Sequence, residues 1–553
     1  MTEIIAKYHA QKKLFSSDVS RLNLLDLKLE NTINNLQKRV NVWMNHNFES
    51  IVPTMIPYLQ YQNLNLDFHF SDYDDSFLFN GYENAEIEIV FMNMQSYQNK
   101  LNESDLIGWI EERISYLREI SKGTILVVSW NNKIKNQIEQ IITNIPQCHY
   151  IDLSDIAIQK NIPLLDTRTE KLSGTPLSKK FQQVLSRELS CKYIPACLFP
   201  SIKAVCLDLD NTLHQGVLGE DGIDGVILSE EHKLLQEMLK KLKEDGIFLA
   251  LVSKNDEQDV LNLFQSRTEY PLSIKDFSAM EISWDSKTDS IIKISKKLNI
   301  GIDSILFVDD NIGELLSVVS SLEGIKTIHA SDNATLTKEI ISNYPRIWKW
   351  SISEDDKKRV NDLGANQERE KIAKSSQNLN EYFKSLGVTL SFDYNNINHA
   401  QRVTDLCNKT NQFNLSLNRT QELDISNKIK QDNCCVASVS LSDKLSDSGI
   451  IGIVLAETDH SNLLITEVCI SCRAMGRNLE DTIIFTSIKN MDIFKNLKTV
   501  TFNIKQGPRN QPAINWLKKL TKQSVHNEEK IIIDAEVIKN FNSLKEIDIK
   551  VQK

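Results

Sequence analysis

Asp208 and Asp210 stand one residue apart at the end of the apolar run Ala204 to Leu207. A chain gains little by ending a buried strand on two acids, whereas ligands of parallel sheets bind at the carboxyl ends of strands. Three more polar groups follow at similar places. The run Ile247 to Val252 leads into Ser253-Lys254-Asn255, Lys287 precedes a helical segment, and Ser304 to Val308 leads into Asp309-Asp310-Asn311. All of these can converge on one crevice, and the chemistry they permit is phosphoryl transfer. Asp208 would attack phosphorus, and Asp210 would protonate the leaving group and then activate water against the aspartyl-phosphate. Ser253, with Lys254 and Asn255 beside it, and Lys287 would hold phosphoryl oxygens. Asp309, with or without Asp310, would join Asp208 and Asp210 around a hard cation such as Mg²⁺. A lone Asp-x-Asp is most simply a solvated strand end, but four elements in this order argue for a site.

The elements that must position these residues are strands alternating with helices, the pattern of a parallel α/β sheet. Roughly forty residues separate Asp208 from Ser253 and roughly thirty separate Ser253 from Lys287, too few for a cap of the ~50 residues that independent folding needs. The crevice is therefore expected to be open, or covered by another part of the chain, which suits a large or carrier-tethered substrate.

Asp-Leu-Asp-Asn-Thr at Asp208, the serine at the second strand end, the later lysine and the Asp-Asp pair resemble the haloacid-dehalogenase (HAD) phosphatase superfamily. The longer stretch Asp208 to Gly222, with Val252-Ser253-Lys254-Asn255, is similar to its FkbH-like branch. That resemblance implies a capless HAD domain with Mg²⁺ as cofactor, acting on a phosphorylated glyceryl unit from 1,3-bisphosphoglycerate and delivering it to an acyl carrier protein with its phosphopantetheine. His214 stands where that branch most often has Trp; it either tunes the pocket or simply lies on the loop, and the second reading is favoured.

In the last third, strands are expected at Val388 to Phe392, Cys435 to Leu441, Ile450 to Glu457, Leu463 to Ser471 and Thr499 to Ile504, with helices at Asn398 to Cys407 and Leu479 to Ile488. Between the fourth strand and the second helix lies Cys472-Arg473-Ala474-Met475-Gly476-Arg477. Arg-x-x-Gly at a strand-to-helix junction suits a phosphate, because glycine lets the backbone approach and the helix start offers free N–H groups. It resembles the acyl-CoA loop of GNAT acyltransferases, with Asn478 where that loop usually has Gly or Ala. Pantetheine on a carrier ends as CoA does, so carrier docking is implied equally.

The FkbH-like resemblance continues through Lys409 to Asn414, Asp443 to Gly452 and Ser471 to Glu480. It makes Cys472 the natural thiol for an acyl relay, with Arg473 and the helix start lowering its pKa. The competing reading is an inert strand-end cysteine. Asn411 and Gln412 would bond the glyceryl hydroxyls or merely bridge backbone. Gly476 and Arg477 complete the acyl or pantetheine set. Cys469 and Cys472 form Cys-x-x-Cys, without a second pair for zinc or the context of a redox helix.

The first third alternates helix and strand. Apolar residues from about Leu22 to Met44 have mostly helical spacing, Glu86 to Phe91 and Thr124 to Trp130 read as strands, and Asp105 to Ile120 reads as a helix capped by Ser104. Ser71, Ser76 or Ser129 with His69 or His149 would be needed for hydrolase chemistry, but no Gly-x-Ser-x-Gly elbow surrounds any of them. An inactive SGNH-like domain for docking or dimerisation is the expectation.

The 553 residues thus divide into an N-terminal parallel α/β domain (1–198), a capless HAD Rossmann-like domain (199–345), a helical connector (346–387) rich in charge, and a C-terminal α+β GNAT-like domain (388–553). A net charge of -10 argues against a nucleic-acid partner. Nine cysteines without a disulfide spacing, no signal-peptide pattern and no membrane-length apolar run lead to the expectation of a cytoplasmic protein without a membrane partner. The expected activity is a bifunctional glyceryl transferase and phosphatase. A stand-alone phosphatase with a substrate-binding C-terminal domain is the alternative, and a non-enzymatic scaffold ranks third.

Overall fold

The computed structural model describes residues 2–27, 29, 36–97, 100–130, 133–166, 168, 170, 174–350, 365, 368–369, 372–373, 375–376, 378–507, 509–521 and 530–552. The chain is mixed α/β and divides into two compact units. One comprises Met1–Leu242, Leu249–Ser295 and Gly301–Ser351, the other Lys243–Phe248, Lys296–Ile300 and Ile352–Lys553.

The first unit carries two five-stranded sheets. Its N-terminal sheet is formed by β1 (Leu36–Met44), β2 (Leu64–Tyr73), β3 (Ile87–Met92), β4 (Thr124–Ser129) and β5 (Cys148–Asp152), in the order β2-β1-β3-β4-β5. All neighbours run parallel. The stretch whose spacing suggests one helix from Leu22 to Met44 instead holds a short helix, Arg21–Asp26, and β1, with residues 28 and 30–35 outside the described set. Val40, Asn41, Val42, Trp43 and Met44 are all buried. A strand covered on both faces loses the alternation that would reveal it. The helix Glu103–Ile120 is capped by Asn102, whose side chain accepts from Asp105 N at 2.9 Å, two residues earlier than the Ser104 expected.

The second sheet has the order β10-β9-β6-β7-β8, built from β6 (Ala204–Leu207), β7 (Phe248–Ser253), β8 (Ala279–Ile282), β9 (Ile305–Asp309) and β10 (Lys326–His329). The pairs β6/β9, β9/β10 and β7/β8 are parallel. Every residue of β6 and all but the last of β9 are apolar and fully buried, which fixes where the chain must turn polar. Fully burying each large aliphatic side chain contributes about 1.5–3 kcal/mol, so the strand ends cannot slide.

The second unit holds a mixed sheet in the order β17-β16-β15-β14-β13-β11-β18. Its strands are β11 (Thr389–Tyr394), β13 (Cys434–Ser442), β14 (Asp447–Asp459), β15 (Asn462–Ile470), β16 (Thr499–Asn503), β17 (Lys530–Asp534) and β18 (Asp548–Gln552), while a two-residue β12 (Phe413–Asn414) pairs with β15. The expected helices occur as Ala400–Lys409 and Glu480–Lys489. Of the charged connector, residues 351–364 lie outside the described set; the helix Leu379–Leu386 that follows stops at Gly387, whose φ of 61° is the left-handed cap glycine favours. No helix among the described residues is long and apolar enough to cross a membrane.

Candidate active site

In the first unit the site begins where β6 stops being apolar. Asp208 N donates to Val308 O at 2.9 Å, so Asp208 continues the ladder with β9. Asn211 then turns the chain at φ 52°, a conformation that short amide side chains tolerate. Its Oδ1 accepts from Gly216 N at 3.0 Å and its N donates to Gly216 O at 3.3 Å, closing the loop. Beyond it the helix Leu218–Gly225 and an antiparallel bridge between Gln215 and Ile227 form a small flap, the only cover contributed between β6 and the helix Glu230–Glu244 among the described residues.

Lys287 opens the helix Lys287–Leu298 and is buried at the centre of the cluster. Its Nζ lies 2.5 Å from Asp208 Oδ1 and 3.0 Å from Asp309 Oδ2, and it donates to Val252 O at 3.0 Å. The side-chain oxygens of Asp208, Asp309 and Asp310 lie within 4.8 Å of one another. Burial pushes Asp208 up to about 8 against the pull of Lys287, and Asp309 adds to the rise. Asp310 is also raised, by burial and then by Asp309. Asp309 Oδ2 is buried and receives no hydrogen bond, its approach to Lys287 being an ion-pair contact only. Three crowded carboxylates against one ammonium leave excess negative charge. A small divalent cation held by Asp208, Asp309 and Asp310 fits that set, since such ions take carboxylate oxygens.

Asp210, also read from the sequence as a metal ligand, is not in this group. Its Oδ1 accepts from Leu218 N at 3.0 Å and lies 3.3 Å from His214 Nε2, while its Oδ2 accepts from Asn255 Nδ2 at 2.7 Å. Burial works to raise this carboxyl, but the hydrogen bonds from His214, Leu218 N and Asn255 hold it below its ordinary value. Asn255 also donates to Ser253 Oγ at 2.9 Å, so both residues at the end of β7 line the same crevice. Lys254 is turned to Glu314, with its Nζ 2.5 Å from the carboxylate. Just past the end of β7 successive side chains point opposite ways: Ser253 and Asn255 are buried and Lys254 between them is half-buried.

In the second unit, Cys472 follows β15 and is half-buried. The loop is tied down by Ser471 N donating to Ile451 O at 2.7 Å and by Ala474 N donating to Ser471 O at 2.9 Å. Gly476 sits at φ 76° with open space where a side chain would be, and Gly476 N donates to Glu480 Oε1 at 3.3 Å. Arg473 is buried and its Nη2 donates to Ile450 O at 3.5 Å. Arg477 lies 3.5 Å from Asp443, whose two carboxylate oxygens accept from the Arg369 guanidinium at 2.8 and 3.0 Å. The pairing of Phe413 with Ile470 carries Asn411 and Gln412 toward the Cys472 end of β15. Asn411 Oδ1 accepts from Arg419 Nη2 at 2.7 Å. Cys469 is fully buried and burial raises its thiol well above the ordinary range.

Several residues escaped the sequence reading. His214 lies on the loop as expected, but its side chain is wholly buried. Glu467, on β15, is buried beside a cavity of about 520 Å³ also lined by Arg419, Lys428, Glu457 and Asn503. A charged residue inside an apolar strand run was the signal available for it. In and around the N-terminal sheet, Ser71 Oγ donates to Asp72 O and Ser76 Oγ to Asp74 Oδ1, His69 faces Asp67, and His149 stacks on Trp350 at 4.0 Å. Ser129 is buried without a hydrogen-bond partner for its Oγ. None of these serines bonds a histidine.

No family model matches the sequence, and no curated protein matches it. Among solved structures, the chain is similar to the N-terminal part of a Bacteroides fragilis protein containing a phosphatase domain, complexed with Mg (TM-score 0.45, 20% identity, 62% of this chain and 99% of that one). It is also similar to a mutant spermidine N-acetyltransferase from Vibrio cholerae (TM-score 0.21, 15% identity, 27% of this chain and 96% of that one). A GNAT-family acetyltransferase from Streptococcus pneumoniae gives a TM-score of 0.19 at 15% identity over 24% of this chain and 83% of that one. None of these likenesses is close enough to transfer a residue's role.

Proposed function

We propose that this chain is an FkbH-like protein of the HAD superfamily: a bifunctional glyceryl transferase and phosphatase that takes the D-glyceryl unit of 1,3-bisphosphoglycerate and loads it, dephosphorylated, onto an acyl carrier protein. The observation that carries the phosphatase half is the burial of Lys287 among Asp208, Asp309 and Asp310, with Asp210 hydrogen-bonded beside them. Bound among Asp208, Asp309 and Asp310, Mg²⁺ would offset the repulsion between carboxylates and phosphate. Asp208 attacks phosphorus as Asp210 gives a proton to the leaving oxygen, and the P–O bond to the leaving group breaks. Asp210 then takes a proton from water as the water oxygen attacks phosphorus, releasing inorganic phosphate and restoring Asp208. Lys287 holds a phosphoryl oxygen and balances its charge.

For the transferase half, the Cys472 thiolate attacks the acyl carbon of the acyl phosphate, expelling phosphate and leaving a thioester. The pantetheine thiol of the carrier then takes the acyl group and Cys472 recovers its thiol proton. Intact mass spectrometry of cognate carrier protein incubated with enzyme, Mg²⁺ and 1,3-bisphosphoglycerate tests the whole reading. A glyceryl adduct on the pantetheine arm is expected, a phosphoglyceryl adduct with Asp208→Asn, and no adduct with any carrier refutes it. One observation favours the stand-alone phosphatase instead: Arg477, expected at the acyl site, lies 3.5 Å from the Asp443 carboxylate.

A further inference from the structure

Behind Asp210 lies a hydrogen-bonded chain that runs away from the crevice. His214 Nε2 is 3.3 Å from Asp210 Oδ1, and the other ring nitrogen, Nδ1, is 3.1 Å from the hydroxyl of Tyr270. His214 is 0% exposed and Tyr270 6% exposed, so water does not compete for these bonds. Burial pushes the Tyr270 hydroxyl up to about 12, which keeps it a donor. A carboxylate oxygen can only accept, so His214 Nε2–H donates to Asp210 Oδ1, and in that tautomer of the neutral ring Nδ1 accepts from the Tyr270 O–H. Tyr270 is itself clamped. Phe264 meets its ring edge-on at 5.6 Å, and the Arg267 guanidinium lies 5.7 Å from the ring centroid. The same guanidinium donates to Ile223 O at 2.7 Å and Val226 O at 3.2 Å, which anchors the flap that supplies Leu218 N to Asp210.

A carboxylate oxygen has two lone-pair sites. Oδ1 of Asp210 has both filled, by His214 and by Leu218 N, whereas Oδ2 has one filled, by Asn255. We propose that His214 and Tyr270 are positioning residues that occupy Oδ1 and so force Asp210 to give and take its proton through Oδ2. This rests on the phosphatase reading above. In the first half-reaction the Oδ2 proton passes to the leaving oxygen as that oxygen's bond to phosphorus breaks and the Asp208–phosphorus bond forms. In the second, a water proton passes to Oδ2 as the water oxygen bonds phosphorus and the Asp208–phosphorus bond breaks. Neither positioning residue touches substrate.

The test compares leaving groups, because an aryl phosphate departs without protonation and an alkyl phosphate does not. With the full-length protein and Mg²⁺, His214→Phe should lower kcat/KM for 3-phosphoglycerate by about tenfold or more, and for p-nitrophenyl phosphate by less than about threefold. Tyr270→Phe, a gentler change that removes only the hydroxyl, should show the same split at smaller size. Equal losses on both substrates, or none on either, in both variants overturn the proposal while leaving the phosphatase reading in place. A wild-type protein that hydrolyses neither substrate, or an Asp208→Asn variant that still does, overturns the phosphatase reading and this proposal with it.

Discussion

Glu467 shows how burial sets a single group. Its carboxylate accepts from Ser416 N at 3.0 Å, Asn418 N at 2.8 Å and Val468 N at 2.9 Å, yet burial still raises it from the ordinary 4.5 to about 7. Between those values the folded chain keeps a proton that the unfolded chain releases. The stabilising contribution is therefore complete below pH 4.5 and is lost as pH rises through 7, a change of about 3 kcal/mol. Glu467→Gln cannot titrate. In denaturant titrations the stability of wild type relative to this variant should fall by that amount between pH 4.5 and about 8; a flat difference contradicts the assignment. The same residue-scale reasoning applies to Asp208, whose raised carboxyl reflects burial and the neighbouring Asp309. A bound cation would counter both.

At the scale of elements, the flap between β6 and the helix Glu230–Glu244 depends on one backbone position. Gly216 has φ 103°, and a Cβ there would lie 2.7 Å from Asp221 Oδ2, the atom that accepts from Val217 N at 2.8 Å. A side chain must strain the backbone and displace Asp221 together. Gly216→Ala should cost about 1–3 kcal/mol in stability. It should also slow phosphate release, because Leu218 N, the next donor along, is one of the two on Asp210 Oδ1. Thermal melts and phosphate-release rates on the same preparation check both; an active variant with unchanged melting would mean the flap does not position Asp210. β6, β7 and β9 were legible in the sequence because each is a short, nearly unbroken apolar run, buried on both faces and ending on a polar residue or just before one. β1 was not, since Gln37, Lys38, Arg39 and Asn41 interrupt its apolar residues, while burial of both faces from Val40 to Met44 leaves no alternation to mark a strand.

For the whole molecule, the two proposed sites fall in different compact units, Asp208 in one and the Cys472 loop in the other. Their loss should therefore be separable. Cys472→Ala should leave phosphate release from 3-phosphoglycerate within about twofold of wild type while abolishing any trapped acyl-enzyme. Trapping is read by intact mass of the enzyme after acid quench with 1,3-bisphosphoglycerate. Retained carrier loading in that variant would move the acyl relay away from Cys472 and favour direct attack by the carrier thiol.

The sequence by itself determined the kinds of chemistry available. Carboxylates, a serine and a lysine at the ends of apolar runs mark a crevice because a parallel sheet exposes those ends together, and that inference needs only local patterning. Only the tertiary structure decided which oxygen each group uses. That Asp210 stands apart from the three-carboxylate cluster, that Lys254 turns to Glu314 while Asn255 turns to Asp210, and that His214 is a buried link to Tyr270, 56 residues away, all depend on contacts between elements distant in the chain. Such contacts leave no periodicity for a sequence to display, because they are made when the sheet closes and its loops are pressed against one another.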